Sequence, residues 1–313
     1  MPMKIGVVLP IAQDDTVTPA TPVPSYAEIR AIATAAEDRG LDSIWVYDHL
    51  LFRFDGETTG IHECWTILAA VAEATSRVQL GTIVMCTGFR NAALLAKMAA
   101  TLDHLSGGRL ILGIGSGWHD PEFEAFGYPT DHKVGRFEES LTIIRSLIRE
   151  GRVDLDGRWM TARDAVLVPP ARPDIPILVA AKRPRMLELT ARHADAWNIA
   201  WFGAPDERWA GARRDLDAAC AAVGRDPATL ERTVGLNVRY PDLLPVRVAT
   251  SDDGSVPEPA LEGDAEIVAG LAAYADEGTG HVIAALEPTT PEAVARFAEA
   301  ARTFRARVGA ATG

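Results

Sequence analysis

Eight times along this chain a short apolar run rich in β-branched residues is followed by a stretch whose apolar residues recur at helical spacing. MKIGVVL (3–9) leads to YAEIRAIATAAEDRG (26–40), DSIWVYDH (42–49) to ECWTILAAVAEATS (63–76), VQLGTIVM (78–85) to NAALLAKMAATLDHLSGG (91–108), and RLILGIG (109–115) to RFEESLTIIRSLIREG (136–151). IPILVA, DAWNIA, TVGLNVRY and HVIAALE then follow as strands, with helices beginning near Pro184, Pro205, Gly263 and Pro291. Strands buried on both faces read as continuously apolar, which is what a parallel sheet covered by helices requires. Eight such units within 313 residues predict an α/β fold, the closed (β/α)8 TIM barrel, because an open doubly wound sheet usually carries fewer strands. One domain over residues 1–313 is expected.

Two stretches interrupt the alternation. Residues 151–175 hold turn signals and short alternating runs, which predict a small hairpin inserted before the fifth strand. Residues 241–264, rich in Pro, Asp, Gly and Ser, form a long loop after the seventh strand, either a lid or a disordered segment.

A hydrophobic content of 48% supplies a large core, and a net charge of −12 speaks against nucleic acid or an anionic membrane as partner. The three cysteines, Cys64, Cys86 and Cys220, have neither CxxC nor metal spacing, which fits a reducing cytoplasm. The apolar run at the N-terminus is too short for a signal peptide, and no later run reaches the length of a membrane span.

In such a barrel the chemistry sits at the C-terminal ends of the strands. The residues there include Asp48 and His49, Met85 and Cys86, Gly115 to Trp118, Ala181 to Arg183, Asn198 and Glu287. They make no zinc or magnesium pattern, so no metal is expected; a convergence of Asp48, His62, His119 and Asp120 is the rival. Ser116 lies in IGSGW rather than a GxSxG elbow. The spacing of Gly113 and Gly115 imitates a dinucleotide fingerprint but meets Trp118 at the final glycine, with no helix expected there. Gly113, Gly115 and Gly117 leave the fourth strand's end bare, either for a ligand to lie against it or for a tight turn. The helices at 63–75 and 91–104 are apolar around much of their circumference, which predicts a homodimer built on them.

VYDH after the second strand, LGTIVMCTGFRN across the third, ATLDHLSGGRLILGIGSGW into the fourth and ARHADAWNIA around the sixth resemble the bacterial luciferase-like superfamily of flavin and deazaflavin oxidoreductases. Among its branches the chain looks closest to enzymes that use coenzyme F420. The resemblance implies a tricyclic cofactor over the barrel mouth, backed by a bulge in the third strand with a non-proline cis peptide, by position Ile83–Val84. It implies cofactor contacts from Ile83, Val84, Cys86, Ser116, Gly117, Trp118, Ala181, Lys182, Arg183, Arg185 and Met186. Relatives commonly carry glycines where Lys182 and Arg183 stand, and hold the cofactor phosphate with backbone amides of this loop. Three cations beside a helix N-terminus call for an anion unless they are a solvated surface cluster.

The resemblance gives Asp48 and His49 the catalytic role, the imidazole exchanging a proton as hydride moves and the adjacent carboxylate orienting it. A structural role in the second loop is the alternative. Sugar-phosphate dehydrogenases of the superfamily carry a glutamate where this chain has Trp118, which points to an apolar substrate instead. Hydride transfer between F420 and such a small molecule is thus expected. An FMNH2-dependent monooxygenase using O2 is the alternative within the class, and a cofactor-free metal hydrolase or binding barrel the alternative outside it.

Overall fold

The computed structural model describes residues 2–13, 22–54, 56–244 and 259–311. Eight parallel strands form the barrel: β1 (Lys4–Val8), β2 (Ser43–Val46), β3 (Gln79–Thr82), β4 (Leu110–Gly115), β5 (Ile177–Ala180), β6 (Ala196–Phe202), β7 (Glu231–Arg239) and β8 (His281–Glu287). Each pairs with its neighbours in chain order, β8 returns to β1, and the register Leu112↔Ile177 joins β4 to β5, so the barrel is closed as predicted. The outer ring comprises α1 (Tyr26–Asp38), α2 (Cys64–Ala74), α3 (Ala92–Leu105), α5 (Lys133–Glu150), α6 (Pro184–His193), α7 (Glu207–Ala222), α8 (Asp264–Asp276) and α9 (Pro291–Ala311), with a short additional helix α4 (Asp120–Phe126) ahead of α5.

Local chemistry sets these elements. Ser25 and Glu28 form a reciprocal capping box that starts α1, and every residue of β4 is buried because helices cover one face and the barrel interior the other. The expected hairpin before β5 is present as Arg152–Asp156 against Thr161–Val166. Of the stretch 241–264, residues 245–258 lie outside the described residues; Leu261 pairs with Val238 at the end of β7.

Two elements were not expected. A hairpin, Phe52–Phe54 against Glu57–Thr59, follows β2, and α4 does begin two residues after Trp118, opened by Pro121 in its first turn. This corrects the expectation of no helix there. Both elements overhang the C-terminal end of the barrel, where the site lies.

The opposite, N-terminal end holds a buried polar triad. The Ser43 hydroxyl accepts from the Trp45 indole N–H at 2.8 Å and lies 2.7 Å from His281 Nε2. Burial, and secondarily the Lys4 charge, lower the His281 pKa from 6.5 to about 3. An unfolded chain regains the ordinary value, so between pH 6.5 and 3 the unfolded state binds more protons and stability is lost as pH falls. The contribution is complete above the unfolded value. At pH 5 the loss is about 2 kcal/mol relative to pH 7.5. Urea denaturation at both pH values should show this extra loss in the wild type and not in His281→Gln; equal losses would refute it.

Candidate active site

A cavity of about 540 Å³ opens at the C-terminal ends of the strands. Asp48, His49, Ile83, Val84, Cys86, Ser116, Gly117, Trp118, Ala181, Lys182, Arg183 and Met186 all line it, as do Gly115, Glu122, Ala180, Asn198, Ile199, Ala200 and Trp201. Topology brings together residues from Asp48 to Trp201 because successive strand ends meet at one rim. The Ile83–Val84 peptide is cis, and so is Ala200–Trp201.

Arg185 is the exception among the expected residues. Its Nη2 donates to Glu138 Oε2 of α5 at 2.5 Å, and it lines a neighbouring cavity of about 440 Å³ with Trp118, Asp120, Lys133 and Trp159. A helix turns about 100° per residue, so the buried Met186 faces the main cavity while Arg185 is carried around to α5.

Asp48 and His49 do not act on one another. Consecutive residues of an extended segment point to opposite sides. Asp48 turns inward, where Arg90 grips both its oxygens (2.5 and 3.2 Å), the Cys86 backbone N–H donates at 2.9 Å and the Cys64 thiol lies at 3.4 Å. Arg90 also reaches Glu63 at 2.5 Å. Burial works to lower its pKa, but the charge and hydrogen bond of Asp48, together with Cys64 and Glu63, raise it. Burial, reinforced by Asp48, pushes the Cys86 thiol up to about 12, so this residue is packing rather than a nucleophile.

His49 turns the other way, and Glu122 supplies its carboxylate. Nδ1 lies 2.9 Å from Oε1 of this buried residue of α4, whose second oxygen accepts the Leu50 backbone N–H at 2.8 Å. With Nδ1 carrying the proton toward a carboxylate, Nε2 is the nitrogen that can exchange a proton with a ligand. The expectation that Asp48 orients His49 is thus replaced by a His49–Glu122 pair.

The rival metal set is not assembled. His62 Nε2 contacts the Pro24 carbonyl at 2.8 Å, His119 Nε2 accepts the Arg53 backbone N–H at 3.0 Å, Asp120 pairs with Lys133, and Asp48 with Arg90. Among the described residues, the group close enough to share an ion is Asp48, Glu63 and Cys64. A guanidinium bridges those two carboxylates, and burial followed by the Asp48 charge raises the Cys64 pKa.

Gly115 and Gly117, at and just beyond the end of β4, line the cavity, and the glycines here also meet protein atoms closely. A Cβ on Gly113 would lie 1.8 Å from the Thr82 carbonyl oxygen, one on Gly115 2.6 Å from Val84 Cγ2, and one on Gly117 2.5 Å from Phe123 and 2.6 Å from Cys86 Sγ. Protein atoms occupy those directions. The glycines let the kinked path of residues 82–86 press against β4, and Gly117 in addition takes a left-handed φ of +76°.

The cavity residues fit a flat ring with an anionic tail. Ile83, Val84, Ile199, Ala200 and Trp201 offer apolar surface, while Lys182 and Arg183 stand exposed at the start of α6, whose first turn has no side-chain cap. Phe89, Phe123 and Tyr128 pack together in a satellite core, and Asp195 is engaged by Arg149 and the Ile177 backbone N–H.

A closed parallel barrel with an apolar, cation-rimmed cavity over a histidine–carboxylate pair has the layout of a barrel enzyme for a small molecule. The family model described as luciferase-like monooxygenase matches residues 3–242, and the chain belongs to that family. It is 34% identical over 273 residues to a phthiodiolone/phenolphthiodiolone dimycocerosates ketoreductase of Mycobacterium sp. (strain JLS), covering 80% of this chain and 69% of the relative. It is 37% identical over 172 residues to an F420-dependent glucose-6-phosphate dehydrogenase of Amycolatopsis mediterranei (strain U-32), covering 53% of this chain and 50% of the relative. The chain therefore spans from half to about two thirds of the length of these curated relatives. Among solved structures, an F420-dependent secondary alcohol dehydrogenase in complex with an F420–acetone adduct superposes with a TM-score of 0.74 at 18% identity, over 96% of this chain and 98% of that one, which shows the shared fold.

Proposed function

We propose that this chain catalyses hydride transfer between coenzyme F420 and a small alcohol or ketone with an apolar body. The His49–Glu122 pair at the edge of an apolar cavity carries this reading, because a carbonyl and its alcohol differ by a hydride at carbon and a proton at oxygen. The deazaflavin ring, when bound, supplies or accepts the hydride. Residues of this chain do the rest: His49 Nε2 holds the proton exchanged with the substrate oxygen, and Glu122 fixes the imidazole's orientation and tautomer. The F420 dependence of one relative supports the cofactor, and Trp118 at the mouth supports an apolar substrate over a sugar phosphate. Among the described residues no helix is long and apolar enough to cross a membrane. A single-domain cytoplasmic enzyme acting on a small molecule, not a nucleic acid, completes the proposal.

Lys182, Arg183 and the backbone N–H groups that follow Pro184 in the uncapped first turn of α6 would hold the cofactor's phosphate and carboxylate tail. The double substitution Lys182→Gly/Arg183→Gly should weaken F420 about tenfold, as two partly exposed ion pairs of about 0.7 kcal/mol each imply. FMN, with one phosphate, should lose less, and the wild-type affinity for F420 should fall with salt. Fluorescence titration at low and high salt tests this; equal binding of both cofactors by wild type and variant would make the cluster mere surface. FMN remains the second reading, favoured by a helix N-terminus that suits a single phosphate.

The homodimer is proposed on α2 and α3. Leu95 is fully buried in the core, so a charge there would disrupt folding. Leu94 is 53% exposed on the outer face of α3. Leu94→Glu should therefore shift sedimentation at micromolar concentration from dimer toward monomer; a monomeric wild type would refute the proposal.

A further inference from the structure

The aromatic surface of the cavity continues beyond His49. Trp118, which lines the cavity, is 63% exposed, and beside it Phe54 is 55% exposed, so two large aromatic side chains stand together in solvent. Phe54 belongs to the hairpin after β2 and Trp118 to the link between β4 and α4. Their rings are nearly parallel, 6.4 Å between centroids and 24° between planes, and Phe52 extends the stack at 6.2 Å and 17°. Phe52 meets the His49 ring at 4.4 Å, and Trp118 meets it edge-on at 5.5 Å. A continuous aromatic path thus runs from the proton-handling imidazole to bulk water.

Neighbouring exposed aromatics are unfavourable in water, and a contiguous patch of them marks a binding surface. This pair is also held in place. His119, buried at the start of α4, accepts the backbone N–H of Arg53, the residue between the two phenylalanines, and its ring lies 4.9 Å from Phe54 and 5.1 Å from Trp118. Burial lowers the His119 pKa, which preserves Nε2 as the acceptor near neutral pH.

We propose that Phe52, Phe54 and Trp118 form a recognition shelf for a flat aromatic portion of the substrate. The inference rests on the hydride-transfer reading and names the substrate class for it. A cavity of about 540 Å³ must take both a tricyclic ring and the reacting carbon, which leaves the body of the substrate outside, against the shelf. Nearly parallel exposed faces favour planar π-systems through offset stacking, and a flexible alkyl chain gains less there.

Titration calorimetry with methyl naphthyl ketone and methyl nonyl ketone as probes tests the shelf. The wild type should bind the naphthyl ketone about tenfold more tightly. Phe54→Ser should remove most of that preference, and Phe54→Tyr should restore it. No binding of the naphthyl ketone, equal affinity for the two ketones, or a preference unchanged in Phe54→Ser would overturn the proposal, as would loss of an oligomer on Phe54→Ser in sedimentation, which would make the patch an interface between copies. Fluorescence titration of F420 on the same samples separates the two readings: a wild type that ignores the coenzyme but keeps the Phe54-dependent preference overturns hydride transfer and supports the shelf.

Discussion

His49→Ala is expected to lower turnover at saturating coenzyme F420 by at least about a hundredfold, the usual range for losing a general acid–base group. Cofactor affinity should change much less, since no cationic or backbone donor to the cofactor's tail is lost. Glu122→Gln should give a smaller loss together with a shifted pH profile. The carboxylate at 2.9 Å stabilises the imidazolium that forms when Nε2 takes a proton, and an amide does not. Steady-state kinetics across pH distinguishes the two roles. Unchanged turnover in His49→Ala would remove it from the mechanism, and an unmoved pH profile in Glu122→Gln would reduce that residue to a structural bond.

The other large effect falls on stability. Arg90→Ala should destabilise the fold by about 3–5 kcal/mol, because it strips the countercharge from Asp48, which is 4% exposed, and removes the partner of Glu63. Asp48→Asn keeps acceptors for the Cys86 N–H and removes the buried negative charge, so it should cost less. Urea denaturation measures both. An Arg90→Ala variant within about 0.5 kcal/mol of the wild type would show that the pair contributes little, as exposed pairs do.

These two predictions concern residues of unequal visibility in the sequence. The barrel was legible because eight apolar runs with helical partners leave few other solutions, and His49 was legible because it follows a strand. Glu122 was not, since α4 spans only seven residues, too short for helical periodicity to stand out. A local signal did exist in His119-Asp120-Pro121, a polar pair before a proline, which is a common helix start. Arg90 carries no local signal at all: its partner lies 42 positions earlier, and only the barrel brings them together. The hairpin after β2 was marked by a DG pair at 55–56 between FRF and ETT, a recognised turn signal.

The β4 glycines teach a different lesson. Their spacing correctly marks a place where something approaches the backbone closely, but sequence does not say what. The approaching atoms are Thr82, Val84, Cys86 and Phe123 of the same chain. Likewise, the pairing of Arg185 with Glu138 follows from its position around α6, which a reading of charge clusters along the chain does not resolve.

Hydride transfer with a deazaflavin is directly observable. Its most direct measurement mixes the purified protein anaerobically with F420 and an aryl secondary alcohol, unlabelled or deuterated at the carbinol carbon, and follows the deazaflavin absorbance. Bleaching is expected without oxygen, slowed by the deuterium and abolished to background in His49→Ala. Absence of bleaching, with the alcohol instead left unchanged at every F420 concentration, would contradict hydride transfer.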